Sequence, residues 1–386
     1  MRHIMYMKGN DKQMNREEIL NKIEAVVECL MNLGEANNDK DKETSAQEHK
    51  KGLIERDFGI KEWDWPQGVG LYGLTKLQEY FQDQRYDAFL NQWYLDNIVI
   101  GLPSQNINTS APFLTLSGLS DRVGDQGFEE LCLQRAQWLM EHLPKTKEGG
   151  FQHVTSAIGD RMGVRLNAGE LWIDTLFMAV LFLNTMGHKT DHKLWRDEAL
   201  KQVLIHIKYL YDKKTGLFYH GWSFLRKDNF GEIYWGRGNA WFTFGIIEYL
   251  EVAKETLPKV IVEYIVDTYV AQVNMLMQLQ DPNTGLWHTV LDDPTSYLEV
   301  SGSAGIAAGI LQGIRLGYLD NTYQDRVLKT IDSIAKAVDK DGTVTKVSAG
   351  TGIGMDAQHY KDIIIAPMAY GQSLALLALT ESLYFI

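Results

Sequence analysis

The chain has 386 residues, of which 45% are hydrophobic and 23% charged, with a formal net charge of −12 at neutral pH. Such a chain can bury a sizeable core, and no Pro- or Ser-rich linker divides it, so one large domain over residues 16–386 behind a tail at 1–15 is the simplest reading. The acidic balance argues against nucleic acid and anionic membrane surfaces, since phosphate recognition needs a basic face. The start has no apolar run long enough for a signal peptide, and no later window reads as an uncharged membrane span. Both points lead to the expectation of a cytoplasmic protein.

In chain order, residues 1–14 show no helical period. The segments 16–34, 126–142, 192–211, 257–279 and 322–338 set apolar residues at helical spacing against charged ones, as outer helices with one wet face would. The charge run at 36–52 reads as a solvated loop. Between the amphipathic segments lie 66–82, 108–120, 170–186, 236–251, 300–316 and 366–380, small at their starts and apolar nearly all round. A helix without a polar face is buried on every side. Cys29 and Cys132 both fall in amphipathic patterns, which favours two buried thiols over a disulfide or a metal site.

Taking Asn108, Asp174, Asn239, Gly302 and Pro367 as openings of the buried segments, the steps are 66, 65, 63 and 65 residues. Gly-aromatic markers ending in His153, His220 and His288 keep the same beat. Repeated supersecondary units of this kind predict an all-α fold, a closed ring of helical hairpins, or (α/α)6 barrel, with about twelve helices. The GLFYHGW and GLWHTV pieces read as short strands or extended loops at one mouth. All inner helices then start at that mouth, where a ligand site is expected.

Asp174 stands in an apolar run, where lost solvation would raise its pKa toward values useful to a proton donor. Its rival reading is an N-cap, made less natural because 170–173 look helical. In Tyr234-Trp235-Gly236-Arg237-Gly238-Asn239-Ala240-Trp241, the glycines admit a ligand close to the backbone. Arg237 can clamp a carboxylate with two parallel hydrogen bonds, and Trp235 and Trp241 offer flat faces to a sugar ring. The alternative is a Gly-rich helix entry with aromatic core residues. His153 and His220 belong with Asp174 at the shared mouth, although a lone histidine is more often structural. The G-x-G-x-x-G at Gly68–Gly73 lacks a preceding strand, so a dinucleotide site is not expected. Tyr72 within it faces the central cavity or packs in the core. No zinc spacing, phosphate loop or nucleophile elbow occurs, so no metal and no cofactor are expected.

The motifs W-x-W-P-Q-G-V-x-L-Y-G-L from Trp63, L-W-x-D-T-L-F-M around Asp174, W-G-R-G-N-x-W from Trp235 and Tyr370-Gly371-Gln372 resemble the unsaturated rhamnogalacturonyl hydrolases, glycoside hydrolase family 105. The resemblance implies the (α/α)6 barrel and hydration of the 4,5 double bond of a non-reducing-end unsaturated uronic acid. Asp174 would protonate C4 and then activate water. Arg237 and His220 would hold the substrate, Trp235 and Trp241 flank it, and Tyr72 and Met178 line the uronate site. His153 resembles the family's Gly-Phe-x-His position, followed by a longer loop carrying Arg161 and Arg165. Many relatives place a second carboxylate where this chain offers Asn106 and Asn108, which can orient a hydroxyl or water but not exchange protons. The expected partner is a small anionic oligosaccharide, and a homo-oligomer is left open. The rival readings are a family 88 unsaturated glucuronyl hydrolase, an ordinary inverting glycosidase or epimerase, and a non-catalytic carbohydrate-binding toroid.

Overall fold

The computed structural model describes residues 14–34, 59–157 and 160–386. Most of the expected tail, and the charge run at 36–52, lie outside the described residues. Among the described residues thirteen α-helices follow in order: α1 (Arg16–Met31), α2 (Trp65–Phe81), α3 (Asp87–Ile100), α4 (Pro112–Val123), α5 (Gln126–Glu141), α6 (Leu181–Lys189), α7 (Lys193–Leu210), α8 (Gly236–Ala253), α9 (Lys259–Leu279), α10 (Val300–Arg315), α11 (Gln324–Lys336), α12 (Ala357–Lys361) and α13 (Ala369–Ser382). Helices α2, α4, α6, α8, α10 and α13 touch in sequence, and α13 returns to α2, which closes an inner ring. Helices α1, α3, α5, α7, α9 and α11 pack outside it.

The inner helices are apolar all round because both flanks and the outer layer bury them; in α10 every residue from Val300 to Ile314 is buried. Their small residues let backbones meet. A Cβ on Gly309 would stand 2.5 Å from the Thr243 carbonyl oxygen of α8, and one on Gly68 2.5 Å from the Pro112 nitrogen of α4. Gly68 of the G-x-G-x-x-G string therefore serves helix packing.

Two sequence expectations change. The sixth outer helix, α3, is missing from the amphipathic segments because its apolar residues are spread around it, down to Val99 and Ile100 at the exposed end. Helix α9 is, by length and composition, apolar enough to cross a membrane. It lies in the outer layer, with Ile265, Tyr269, Val273 and Leu276 buried and the Tyr269 hydroxyl donating to the Gly309 carbonyl at 2.7 Å.

Among the described residues three two-stranded antiparallel sheets decorate the ring: β1 (Val154–Ala157) with β2 (Asp160–Leu166), β3 (Glu170–Trp172) with β4 (Gly221–Ser223), and β5 (Trp287–His288) with β6 (Leu298–Glu299). The stretch after His153 is thus a hairpin, with Thr155 opposite Arg165. Residues 170–172, expected as helix, form strand β3, because β4 offers a ladder that places Trp172 opposite Gly221. Neither cysteine forms a disulfide among the described residues; Cys132 is buried and Cys29 half-buried.

Candidate active site

The chain leaves β3 at Trp172, turns through Ile173 to Thr175, and enters a π-helical turn, Leu176–Val180, that continues into α6. Asp174 sits on that turn. Its carbonyl accepts from the Phe177 and Met178 amides at 3.1 and 2.9 Å, and the Ile173 amide is anchored to the His220 carbonyl at 2.9 Å. Single π turns inside helices often mark functional positions. This one starts the third inner helix with its carboxylate facing a cavity of about 740 Å³ at the N-terminal ends of the ring, within the range of small-ligand sites.

The openings of several inner helices converge on this cavity. Trp65 and Pro66 come from α2, Asn108 from the turn before α4, Asp174 and Met178 from the third segment, Trp235 and Arg237 from the start of α8, and Tyr370 from α13. The β1–β2 hairpin supplies Thr155, Ser156 and Arg165, and the Gly-rich stretch 350–355 closes another side.

Beside and behind Asp174 stands a buried histidine layer, of which His153 lines the cavity. His220 Nε2 lies 3.2 Å from Asp174 Oδ2, and both atoms are buried without a hydrogen bond. His153 stacks on Trp172 with ring centroids 4.2 Å apart, and its Nδ1 meets the Thr175 hydroxyl at 3.0 Å. Burial drives the His153 pKa down to about 3, against the pull of the Asp174 charge, so its ring is neutral at working pH. Burial also pushes the Asp174 carboxyl up. His220, His153 and the residue's own amide favour the anion more strongly, and the net shift is below the ordinary aspartate value. The expectation of a raised pKa is therefore corrected: the surroundings favour the carboxylate form of Asp174.

Arg237 is 1% exposed and largely committed. Its Nη1 donates to the Ser348 carbonyl and hydroxyl at 2.9 and 2.6 Å and its Nη2 to the Ala349 carbonyl at 2.8 Å, while its head is sandwiched between the Trp235 and Tyr370 rings. Only Nε lacks a hydrogen-bond partner. The two-pronged clamp expected from sequence is thus mostly spent on fixing the 348–349 backbone. Arg165 is the contrasting cation: it lines the cavity, is exposed, and makes no side-chain hydrogen bond or ion pair among the described residues. Arg161 points elsewhere, donating to the Gly101 carbonyl at 3.0 Å and pairing with Glu62 at 2.5 Å.

Four further expectations are corrected. Tyr72, seven residues into α2, does not line the cavity; its hydroxyl donates to Glu248 near the other end of the ring. Asn106 is absorbed by its own loop, its side chain bonded to Ser104, Thr109 and Ser156, whereas Asn108 reaches the cavity. Trp241 is fully buried behind Trp65 and Phe177 and does not flank a ligand. His220 is second in line, since it touches Asp174 without lining the cavity. Sequence reading missed Glu170, a second cavity carboxylate held by the Trp172 indole N–H at 2.8 Å, and Arg226. It also missed the Gly350-Thr351-Gly352 stretch, whose close-spaced glycines were the available signal. Among the described residues no three His, Cys, Asp or Glu side chains converge as metal ligands would.

The glycosyl hydrolase family 88 profile matches residues 38–386. The chain is 34% identical to the unsaturated rhamnogalacturonyl hydrolase YesR of Bacillus subtilis over 89% of its own length and 96% of that protein. It superposes on a crystal structure from Salmonella enterica serovar Paratyphi A, described as "a possible member of GH105 family", with a TM-score of 0.85 and 34% identity, covering 99% of this chain and 96% of that one. A Klebsiella pneumoniae structure described in the same words gives 0.84 and 31%, covering 100% and 99%. Fold, mouth and relatives together make the molecule a glycoside hydrolase of the helical-toroid type. The chain belongs to glycosyl hydrolase family 88, and its similarity within that family runs to the GH105 proteins.

Proposed function

We propose that the enzyme hydrates the 4,5 double bond of an unsaturated uronic acid at the non-reducing end of a pectin-derived oligosaccharide, as an unsaturated rhamnogalacturonyl hydrolase does. Asp174 gives its proton to C4, and the positive charge left at C5 is taken by water, whose proton passes to the Asp174 carboxylate. The hemiketal so formed opens to a ketone at C5 and a hemiacetal at C1, which expels the attached sugar. One carboxyl group serves both proton transfers, unlike the paired carboxylates of ordinary glycosidases.

The observation that carries the reading is the Asp174 carboxylate on the wall of a partly apolar cavity, with His220 behind it at 3.2 Å. A carboxylate entering this cavity adds a like charge near Asp174, which raises its pKa and lets it hold the proton it must deliver. Arg165 meets the uronate carboxylate, the Arg237 Nε adds a donor, Trp235 and Trp65 present ring faces to the sugars, and Asn108 orients a hydroxyl or the attacking water.

The test follows the ultraviolet absorbance of the conjugated enol-ether carboxylate in lyase digests of rhamnogalacturonan and of glycosaminoglycans. The reading expects rapid decay with the pectic digest. Decay with the glycosaminoglycan digest alone would assign the unsaturated glucuronyl activity instead, and no decay with either would sink both.

A further inference from the structure

We infer that Tyr360 is a positioning residue for the reaction, fixing which nitrogen of His220 carries the proton that faces Asp174. The inference rests on the hydration reading for its kinetic consequence, but its structural content stands on the hydrogen bonds alone. Tyr360 belongs to the short helix α12 and is fully buried. Its hydroxyl oxygen accepts the Gly354 amide at 3.1 Å and lies 2.8 Å from His220 Nδ1. Among the described residues no other acceptor is within reach of that hydroxyl. A buried O–H left undonated is costly, so its hydrogen goes to Nδ1. Nδ1 is then an acceptor, and in the neutral ring the proton must sit on Nε2. Nε2 is the atom facing Asp174 Oδ2. The Tyr360 hydrogen bond selects this tautomer, and the carboxylate charge 3.2 Å from Nε2 favours it electrostatically without a formed hydrogen bond.

The surroundings allow the ring no alternative posture. Trp235 packs on His220 with centroids 4.3 Å apart, Trp172 meets it edge-on at 5.5 Å, and Tyr360 lies against both His220 and Trp235. Burial raises the Tyr360 pKa, which keeps its hydroxyl protonated throughout the working range. The titratable groups facing the Asp174–His220 pair are His153 beside Thr175, Tyr360 from α12 and, one layer out, His206 of α7.

Tyr360→Phe removes one oxygen and keeps the ring. Nitrogen-15 NMR of the imidazoles should show His220 losing its predominant Nε2–H form. The kcat on an unsaturated disaccharide should fall about five- to tenfold, the worth of one net hydrogen bond, and the limb of the pH–rate profile set by Asp174 should move. A purely structural role would lower the melting temperature, or raise KM by loosening the Gly354 loop, without touching the tautomer. An unchanged His220 tautomer in Tyr360→Phe overturns the inference. If the wild-type protein proves inactive on unsaturated uronates, the hydration reading fails while the NMR measurement still decides this one.

Discussion

The two ends of the helical ring both bury charge, yet they do so in opposite ways. At the far end, Lys76 is surrounded by Glu79, Glu248 and Glu251 at 2.8, 3.3 and 3.7 Å. The Tyr72 hydroxyl and Gln312 also donate to Glu248, and Arg315 pairs with Glu381. At the mouth, Asp174 Oδ2, His220 Nε2, Arg237 Nε and Trp235 Nε1 are buried without a hydrogen bond, beside an open cavity. Opposite charges matched within the protein hold helices together, whereas polar atoms left unmatched at a cavity are prepared for something that enters it. On this criterion the mouth is the working end and the far end is scaffold.

Asp174→Asn should separate the ends most sharply. Removing a general acid costs on the order of 10² to 10⁴ in turnover, while calorimetry should find substrate affinity within a few-fold of wild type. A protein that only bound carbohydrate would show no change in either. Glu248→Ala should do the reverse: stripping Lys76 and Tyr72 of their main partner should destabilise the fold by about 3–5 kcal/mol in urea denaturation. The kcat, measured well below the melting transition, should stay within about twofold of wild type. A loss of turnover there without a loss of stability would make the far end part of the site.

Acidification tests the histidine layer. Burial lowers His153 to about 3 and His206 to about 4. Their folded pKa values lie below the unfolded value near 6.5, so the unfolded chain binds more protons between those limits and stability is lost as pH falls. The melting temperature should therefore drop from about pH 6.5 downward, and replacing His206 with glutamine should flatten the drop. A temperature that held steady to pH 4 would contradict the burial of these rings. The smallest effect is expected at the rim, where Arg165→Ala should raise KM about tenfold through the loss of one charge-assisted contact. Stability should change by less than about 0.5 kcal/mol, as for most surface substitutions.

The ring was legible in the sequence because its cause is written in every repeat. A helix buried on all sides must be apolar on all sides, and backbones that touch need small residues at the contacts. The convergence of Asp174, Met178, Trp235 and Arg237 was legible for the same reason, since they lie in the first turn or so of their segments. Depth was harder to read. Tyr72 follows Trp65 by seven residues, about 10 Å along a helix, which carries it away from the mouth, and nothing in the motif records that distance. Strand β3 is three residues long, too short for a period of two to show. Arg237 looked like a free clamp because its partners, Ser348 and Ala349, are carbonyl and hydroxyl groups more than a hundred residues away that no local pattern announces.

The claim on which the chemistry turns is that Asp174 delivers a solvent-derived proton to C4 of the unsaturated sugar. Turnover of an unsaturated disaccharide in deuterium oxide, followed by proton NMR of the product, reads that transfer directly. The account predicts one deuterium at C4 in the wild-type product and no labelled product from Asp174→Asn. A product without deuterium at C4, or undiminished labelling by the Asp174→Asn enzyme, would contradict it.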